Sequence, residues 1–312
     1  MRRFLPDDEI PGDAKGAAIA LGNFDGVHKG HQGVIAAVGA YAHARGLKLG
    51  AAAFEPHPRR VFQPEGPPFR LQTPDQRARA LADQGVELLF KIRFDRALSQ
   101  STDFEFCERV LKDRLGAAHV VVGFDFRFGR GRMGDVESLR RHGEALGFTV
   151  MAVQPIEGGP AGAKVSSTAI RAAIARGDMS EAARMLGRPW AIEGEVRRGL
   201  SRGREMGIPT ANMDLDDYVR PRLGIYAVRA DLGDGVKRPG VASIGVHPTV
   251  GALPEPVLET HLFDFDGYLY GAKIEIEPIA FLRDEVKFDT VEAMLAQIAR
   301  DVEQARAVLD RA

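Results

Sequence analysis

The sequence lacks the features of secreted, disulfide-stabilised and membrane-spanning proteins. Its 312 residues include a single cysteine, Cys107, so no disulfide can form within the chain and the composition fits a reducing compartment. No run of about 18 apolar residues is present, and we therefore expect no membrane-spanning helix. The first ten residues, MRRFLPDDEI, carry two arginines without an apolar stretch behind them, so we expect no signal peptide. A cytoplasmic location is the expectation.

An excess of charge of one sign is also absent. The chain has 42 basic and 43 acidic residues and a formal net charge of -1. Without a global basic field, no nucleic-acid partner is expected, and any anion site must be local. Hydrophobic residues make up 45% and charged residues 27%, as in ordinary globular proteins. The length suits two domains, each with its own core, and leaves the oligomeric state open.

Strand-like and helix-like segments alternate through the first half of the chain. Apolar runs that predict strands cover residues 17–25, 47–58, 86–94, 118–126 and 148–156. Amphipathic runs that predict helices cover residues 31–46, 73–85, 103–116 and 138–147. This alternation is typical of an α/β domain with a Rossmann-like, doubly wound parallel sheet.

The second half has a different pattern. From about Trp190, short alternating segments are separated by turns rich in Gly, Pro and Asp, which predicts antiparallel strands in a small β-barrel. A final helix is predicted over 290–311, with apolar residues at helical spacing: Val291, Met294, Leu295, Ile298 and Val302. We place the boundary between Gly187 and Ala191, giving an α/β domain over 1–188 and a barrel domain over 189–312.

The stretch GNFDGVHKGH, residues 22–31, lies between a predicted strand and a predicted helix. Open α/β sheets bind ligands at this edge, glycines let the backbone approach phosphate, and a helix N-terminus attracts anions. His28 and His31 can donate hydrogen bonds that stabilise charge on a phosphorus under attack. A structural histidine pair in a loop is the alternative, but strand, turn, H-x-G-H and helix coincide here. The expected binding residues of the turn are Gly22, Asn23, Phe24, Asp25 and Gly26.

Two further stretches of the first half also end predicted strands. FEPHP, residues 54–58, contains His57, which is either a ligand contact or an ordinary loop histidine. In VVGFDFRFGRGRMG, residues 121–134, Asp125 and Arg127 can present an acidic and a basic group to a nucleotide or to magnesium. A turn with Arg127 in a salt bridge is the simpler interpretation of the same residues.

The stretch VSSTAIR, residues 165–171, has the pattern of a helix N-cap. Ser166, Ser167 or Thr168 is expected to cap a helix that begins near Ala169. Hydroxyl groups at a helix N-terminus can bind phosphate, and Arg171, one turn in, can add a charge-assisted contact. Plain capping with a surface arginine is the alternative, and the two roles are compatible.

A basic, glycine-rich stretch opens the second half: RRGLSRGREMGIPTANM, residues 197–213. Such a loop, which includes Gly203 and Gly207, suits a polyphosphate. Thr210 and Asn212 alternate on an extended segment, so their side chains point the same way and offer oxygen ligands to magnesium or phosphate. From composition alone, a flexible hairpin with solvated arginines is the simpler interpretation.

These motifs resemble those of a known family. The H-x-G-H stretch is similar to the signature of nucleotidyltransferases related to class I aminoacyl-tRNA synthetases, and a Walker A loop is absent. With FEPHP, VVGFDFRFGRGRMG and VSSTAIR it resembles the FAD synthetase module of the bacterial bifunctional riboflavin kinase/FAD synthetase family. GREMGIPTAN resembles the riboflavin kinase pattern G-x-x-x-G-x-P-T-A-N, followed in order by GIYAV, GVASIGVHPTV, LETHLFDFDGYLYG and LRDEVKFDTVEAMLAQIARD. The resemblance extends from Gly22 to Asp301.

The resemblance implies two reactions. A nucleotidyltransferase domain would transfer adenylate from ATP to FMN, giving FAD and pyrophosphate, with His28 and His31 in catalysis. A riboflavin kinase-like barrel would phosphorylate riboflavin to FMN with ATP, and Mg²⁺ would serve both steps. Thr210 and Asn212 would bind Mg-ATP and ligate the metal, and Glu259 would be the general base for the ribityl hydroxyl.

Two positions in the barrel depart from the family pattern. Ser243 stands where asparagine is frequent, and His247 where arginine is frequent, so kinase efficiency or flavin affinity is in question. Three rival hypotheses stay open: an enzyme with one vestigial module, a flavin-binding regulatory or carrier protein without turnover, and an H-x-G-H nucleotidyltransferase with another acceptor. Bound flavin without ATP consumption would favour the second.

Overall fold

The computed structural model describes residues 1–159, 162–198, 208–246 and 255–311. The chain folds into two compact units. The first, here called the α/β unit, comprises Met1–Pro67 and Pro74–Val165; the second, the barrel unit, comprises Pro68–Thr73 and Ser166–Ala312.

A six-stranded parallel sheet forms the centre of the α/β unit. The strands occur in the order β1-β4-β3-β2-β5-β6, and every neighbouring pair is parallel. Their bounds are β1 Arg2–Phe4, β2 Ala18–Leu21, β3 Leu49–Glu55, β4 Leu88–Arg93, β5 His119–Gly123 and β6 Thr149–Val153. From β2 the chain builds β3 and β4 on one side and then β5 and β6 on the other. The direction of winding therefore reverses at β2, and its carboxyl end is where such sheets bind ligands.

Helices cover both faces of this sheet, which confirms the doubly wound architecture. Their bounds are α1 Lys29–Arg45, α2 Pro58–Phe62, α3 Pro74–Asp83, α4 Arg96–Gln100, α5 Asp103–Phe106 with a π-helical continuation over Cys107–Arg114, and α6 Val136–Leu146. Alternate residues of β2 enter opposite cores: Ala18 and Ala20 pack with α1 and α3, while Ile19 and Leu21 pack with α5 and α6. Strands buried on both faces explain the continuous apolar runs of the sequence.

The barrel unit contains a second six-stranded sheet, which is antiparallel. Its order is β7-β12-β9-β10-β11-β8. The bounds are β7 Ile192–Glu195, β8 Ala211–Asp214, β9 Gly224–Asp231, β10 Lys237–Val246, β11 Pro256–Leu262 and β12 Lys273–Arg283. A bridge between Arg197 and Asn212 joins the β7 and β8 edges, so the sheet is a nearly closed barrel, as predicted.

Three helices are described in the barrel unit: α7 Ser167–Arg176, α8 Met179–Leu186 and α9 Val291–Leu309. The C-terminal helix α9 is confirmed, and four of the five residues of the predicted stripe are partly buried: Met294, Leu295, Ile298 and Val302. Val302 packs on the barrel core, whereas Val291 is 53% exposed and the buried positions of α9 are Asp301, Ala305 and Leu309. Arg283 of β12 binds Asp301 with its Nη2 2.6 Å from Oδ2, so α9 also buries a charged residue that the apolar pattern does not predict.

The short segment Pro68–Thr73 also belongs to the barrel unit, although it lies early in the sequence. Trp190 attaches this segment, because its indole Nε1 donates to the Leu71 carbonyl at 2.8 Å. The predicted boundary between a domain over 1–188 and a domain over 189–312 stays a prediction.

Candidate functional site

Three of the motifs lie at one edge of the parallel sheet. GNFDGVHKGH follows β2, His57 comes two residues after the end of β3, and Asp125 comes two residues after the end of β5. Because β3, β2 and β5 are neighbours in the sheet, the topology brings these motifs to the ligand-binding edge of the α/β unit.

The turn after β2 has an unusual backbone. Phe24 and Val27 have positive φ angles of 53° and 40°, and Gly26 has 92°. Left-handed backbone at residues with a side chain costs on the order of 1–3 kcal/mol each and persists only where the surroundings enforce it. Here both side chains are 1% exposed and pack in the core with α1. Gln32 also donates from Nε2 to the Val27 carbonyl at 2.9 Å. The turn is therefore held in one conformation by packing and hydrogen bonds.

His28 and His31 meet at the start of α1. His28 is the N-cap residue, and its Nδ1 accepts a hydrogen bond from the His31 amide at 3.3 Å. The two rings stack with their centroids 3.6 Å apart at 18°. The helix thus begins at Lys29, two residues before the position expected from the sequence, because a histidine acts as the cap. Gly30 leaves room for this arrangement, since a Cβ there would lie 3.1 Å from the His28 ring.

This geometry suits an anion. With Nδ1 accepting, a neutral His28 carries its ring proton on Nε2, which is then a donor. The ring pair stands at the N-terminus of a helix of 17 residues, whose first amides and dipole attract negative charge. Asp25 is also buried in the turn, at 6% exposure.

The other predicted residues of this edge already have protein partners. His57 caps α2, with its Nδ1 accepting from the Arg59 amide at 3.1 Å. Asp125 forms an ion pair with Lys164, and Arg127 lies 3.4 Å from Asp135 in an exposed pair. For Arg127 the simpler interpretation matches this contact. A role for these residues toward a nucleotide stays a prediction.

Two residues of the same edge carry no motif and were missed in the sequence. Phe62, on α2, is 64% exposed, and its ring lies 5.7 Å from that of Phe94. Arg77, on α3, is 4% exposed and donates to the carbonyl of Asn23 within the turn. The signal for Phe62 is an aromatic residue one turn after His57; for Arg77 the helical pattern gives none.

The VSSTAIR motif begins α7 of the barrel unit. Ser166 is the N-cap, accepting from the Ala169 amide at 3.2 Å, so the helix starts at Ser167. Thr168 is exposed and Ser167 is half-buried. Arg171 donates from Nε to the Phe69 carbonyl at 2.6 Å and so holds the segment Pro68–Thr73. The predicted capping is therefore present, and phosphate binding by these groups stays a prediction.

A row of polar side chains crosses three strands of the barrel. In the register of the sheet, Glu259 on β11 pairs with Asn212 on β8 and with Ser243 on β10. Paired residues point to the same face, about 5 Å apart. The flanking residues Leu258 and Thr260 are buried, so the row lies on the face opposite to the barrel interior. The sheet thus brings the predicted general base beside the predicted nucleotide ligands.

Neighbouring groups orient this row. Asn212 donates from Nδ2 to Thr210 Oγ1 at 3.2 Å, so these two predicted ligands lie together. Ser243 Oγ lies 3.5 Å from Glu285 Oε1. Gly203, Gly207 and His247 lie outside the described residues.

The donor set of the row fits a hard cation. The Asn212 amide group directs its nitrogen toward Thr210, so the Asn212 carbonyl oxygen and the Thr210 hydroxyl supply two oxygen atoms close together. Magnesium prefers such oxygens and usually keeps water and nucleotide phosphates as its remaining ligands. Across the described ranges no cluster of three or more His, Cys, Asp or Glu side chains is placed to hold a metal, so a site of the zinc type is not seen there.

Cys107 is unsuited to nucleophilic chemistry. It is fully buried in the core beneath the sheet, and burial, with a smaller effect of Asp103, raises the pKa of its thiol to about 12. A thiol with this pKa stays protonated at neutral pH and is unreactive. The structure therefore agrees with core packing as its role.

Comparison with known proteins gives two family matches. Residues 10–169 match the FAD synthetase family and residues 186–309 match the riboflavin kinase family. The chain is 42% identical to a bifunctional riboflavin kinase/FMN adenylyltransferase of Pseudomonas fluorescens, over 94% of this chain and 93% of that protein. It is 39% identical to the protein of the same description from Escherichia coli K12, over 94% and 92% of the two chains.

A solved structure shares the whole fold. The crystal structure of a protein described as a macrolide-efflux protein from Streptococcus pneumoniae aligns with a TM-score of 0.84 and 32% identity, covering 94% of each chain. The described part of the present chain contains no helix with the length and apolar character that crossing a membrane requires.

Proposed function

Because the chain belongs to the family of bifunctional riboflavin kinases/FMN adenylyltransferases, we propose that it makes FAD from riboflavin in two ATP-dependent steps. The barrel unit phosphorylates riboflavin to FMN, and the α/β unit transfers adenylate from a second ATP to FMN with release of pyrophosphate. The observation that carries the proposal is that one chain matches both families, one in each half of its sequence.

In the adenylylation step, the FMN phosphate attacks the α-phosphorus of ATP. Charge grows on the non-bridging oxygens of that phosphorus, and the step depends on alignment and charge stabilisation more than on a covalent nucleophile. His28 donates from Nε2, and His31, stacked on it, donates from the same helix end. The amides of the first turn of α1 supply further donors, and Gly22, Asn23, Phe24, Asp25 and Gly26 surround the nucleotide.

The rest of the carboxyl edge contributes binding. Asp125, Arg127 and His57 contact the nucleotides from the neighbouring strand ends. In the barrel unit, Ser166, Ser167, Thr168 and Arg171 offer phosphate contacts at the N-terminus of α7. The exposed ring of Phe62, backed by Phe94, offers an apolar surface on which the isoalloxazine ring can stack. A large aromatic side chain that is left 64% exposed beside a polar site supports this assignment.

In the kinase step, the 5′-hydroxyl of the ribityl chain attacks the γ-phosphorus of ATP, the bond to the β–γ bridging oxygen breaks, and ADP leaves. Glu259 accepts the hydroxyl proton, since it is the carboxylate of the polar row and lies one strand from Asn212. Gly203 and Gly207 contribute to the loop that binds the phosphates. Mg²⁺, when bound, neutralises phosphate charge; Thr210 and Asn212 would hold it.

The setting follows from composition. A chain with one buried cysteine and near-zero net charge suits the cytoplasm, where riboflavin, FMN and ATP are its small-molecule partners. Neither the proposal nor its mechanism requires a nucleic acid, a membrane or a particular oligomeric state.

Single substitutions separate the two steps. Replacing His28 by asparagine keeps an N-cap residue but removes the ring, and we expect FAD formation from FMN to fall by about 100-fold or more while riboflavin phosphorylation stays within about twofold. His43→Asn, an exposed histidine on the same helix, is the matched control. Rates are measured by chromatography of the flavins.

The converse variant is Glu259→Gln, which keeps size but cannot accept the proton. We expect FMN formation to fall by about 100-fold or more, with adenylylation of supplied FMN unchanged. Glu195→Gln, at an exposed position of β7, is its control. Loss of both steps in either variant, or wild-type protein that binds flavin without consuming ATP, contradicts the proposal.

A further inference from the structure

Arg77 is a charged side chain buried beside the turn that follows β2. Its side chain is 5% exposed, and its Nη2 lies 2.7 Å from Glu55 Oε2. Its Nη1 donates to the carbonyl of Asn23 at 3.2 Å. Burying a guanidinium is costly unless its charge and its N–H groups find partners. The two contacts therefore explain how an arginine is tolerated at this position.

The two partners of Arg77 lie on different strand ends. Asn23 belongs to the turn between β2 and α1, which carries His28, while Glu55 is the last residue of β3 and is followed by Pro56 and His57. Strands β2 and β3 are neighbours, with Leu21 opposite Ala52. One planar guanidinium thus connects the two loops that carry the histidines of this edge.

Arg77 contacts Asn23 next to the left-handed part of the turn. Asn23 immediately precedes Phe24, the first left-handed residue of the turn. A hydrogen bond from α3 fixes the Asn23 carbonyl and hence the peptide that enters this conformation. Local contacts such as Gln32 on Val27 hold the other end of the turn, so Arg77 is an anchor that reaches it from a separate helix.

The guanidinium does more than neutralise a carboxylate. Its Nε is buried and makes no hydrogen bond within the described residues, whereas Nη1 and Nη2 each have an acceptor. The position of the side chain therefore favours the two contacts of its terminal nitrogens. A lysine has a single ammonium and can satisfy Glu55 but cannot bridge two acceptors in a fixed plane.

We propose that Arg77 is a positioning residue for adenylyl transfer, an inference that rests on the proposed adenylylation site. It sets the position of the His28 turn relative to the end of β3 and contacts no substrate itself. Adenylyl transfer is sensitive to such placement, because a displacement of about 1 Å can cost about 100-fold in rate.

The test uses the full-length enzyme and the variant Arg77→Lys, which keeps the charge next to Glu55. We expect kcat for FAD formation from FMN to fall by about 10- to 100-fold, with KM for ATP changed by less than about threefold. The reason for this split is that the α1 amides still bind phosphate while the histidine turn is misplaced. Arg79→Lys, an exposed arginine of the same helix, is the matched control and keeps wild-type kcat.

Two further measurements distinguish the proposed positioning role of Arg77 from a purely structural role. Hydrogen exchange of the β2 and β3 amides reports the folded fraction of the α/β unit, and kcat is expressed per folded molecule. Glu55→Gln removes the ion pair but keeps Arg77 on Asn23, so its kcat falls less than that of Arg77→Lys. The proposal is overturned if Arg77→Lys keeps wild-type kcat, if the loss merely tracks unfolding, or if Glu55→Gln is equally impaired. Failure of the proposed function is distinguishable, since wild-type protein would then form no FAD.

Discussion

At the residue scale, His28 has a structural role as the cap of α1, and we propose a chemical role for the same ring. Its Nδ1 caps α1 by accepting from the His31 amide, and this fixes the tautomer of the neutral ring so that Nε2 is a donor. The left-handed residues Phe24 and Val27 precede His28 in the turn, and Gly30 makes space for its ring. The H-x-G-H spacing therefore reflects a cap at one position and a stacked partner three residues later.

His119 provides a pH-dependent contribution to stability. It is 3% exposed at the start of β5, stacks on Tyr41 with the ring centroids 3.5 Å apart, and shares a hydrogen bond with Thr149 Oγ1 at 2.7 Å. Burial, with a smaller effect of Arg45, lowers the pKa of His119 to about 4, against about 6.5 in an unfolded chain. The unfolded state therefore binds a proton first as the pH falls.

We predict that the stabilisation from neutral His119 is complete above pH 6.5 and is lost between pH 6.5 and 4, by up to about 3 kcal/mol. Urea unfolding of the α/β unit at pH 7 and at pH 4.5 measures the effect. His119→Phe keeps an aromatic ring against Tyr41 but does not titrate, so its free energy of unfolding should vary less across this range. An identical pH dependence in both proteins would show that His119 is not responsible.

The residues that a sequence reveals are those whose chemistry is tied to local pattern. GNFDGVHKGH and GIPTAN are recognisable because turn, cap and ligand types occur together in one short segment. Arg77 and Phe62 are not recognisable in this way. An arginine on a polar helix and a phenylalanine on a short one have ordinary local patterns, and only the tertiary structure buries the first and exposes the second.

At the element scale, α9 is attached to the barrel by an ion pair as well as by apolar packing. Arg283 of β12 donates from Nε and Nη2 to the two oxygens of Asp301, at 2.8 and 2.6 Å. Gln297 adds a third donor to Oδ1 at 2.8 Å. Asp301 is 2% exposed, so these contacts replace the water that its side chain loses on burial.

We predict that Asp301→Asn destabilises the barrel unit by about 3 kcal/mol, because the partly buried Arg283 loses its counter-charge. Thermal or urea unfolding of the full-length protein measures the change. Glu303→Gln, an exposed site on the same helix, should shift stability by less than about 0.5 kcal/mol. A change below about 1 kcal/mol in Asp301→Asn would mean that apolar packing alone holds α9.

The types of the secondary-structure elements were predictable from the sequence, but the start of α1 and the ion pair of α9 were not. The alternation of strands and helices predicted the parallel sheet. Its strands were recognisable as continuous apolar runs because β2, β3 and β5 are buried on both faces. The periodicity of α9 predicted a helix and most of its inward residues, but it predicted neither the exposure of Val291 nor the burial of Asp301 against Arg283. The start of α1 moved for a similar reason, since a histidine cap lies outside the usual capping residues.

At the scale of the whole molecule, each unit has its own core and its own candidate site. The near-zero net charge is consistent with this arrangement, because both proposed reactions bind anions through local donors: a helix N-terminus in the α/β unit and the basic, glycine-rich sequence 197–213 in the second half. The departure at Ser243 lies directly opposite Glu259 in the sheet, the residue proposed as the general base of the kinase step.

We therefore predict that replacing Ser243 by asparagine, the residue frequent in the family, changes KM for riboflavin and leaves adenylylation of FMN unaltered. Steady-state kinetics of each step, started separately from riboflavin and from FMN, measure this. A matched Ser180→Asn variant on α8 serves as the control. Equal effects on both steps would contradict the assignment of the row to the kinase.

The most direct test of the central claim is a time course with the wild-type chain. Purified protein is incubated with riboflavin, ATP and Mg²⁺, and the flavins are separated by chromatography. The account predicts that FMN forms first and is then converted to FAD, with one pyrophosphate released per FAD. Accumulation of FMN alone would contradict adenylylation at the His28 site, and unchanged riboflavin would contradict the kinase.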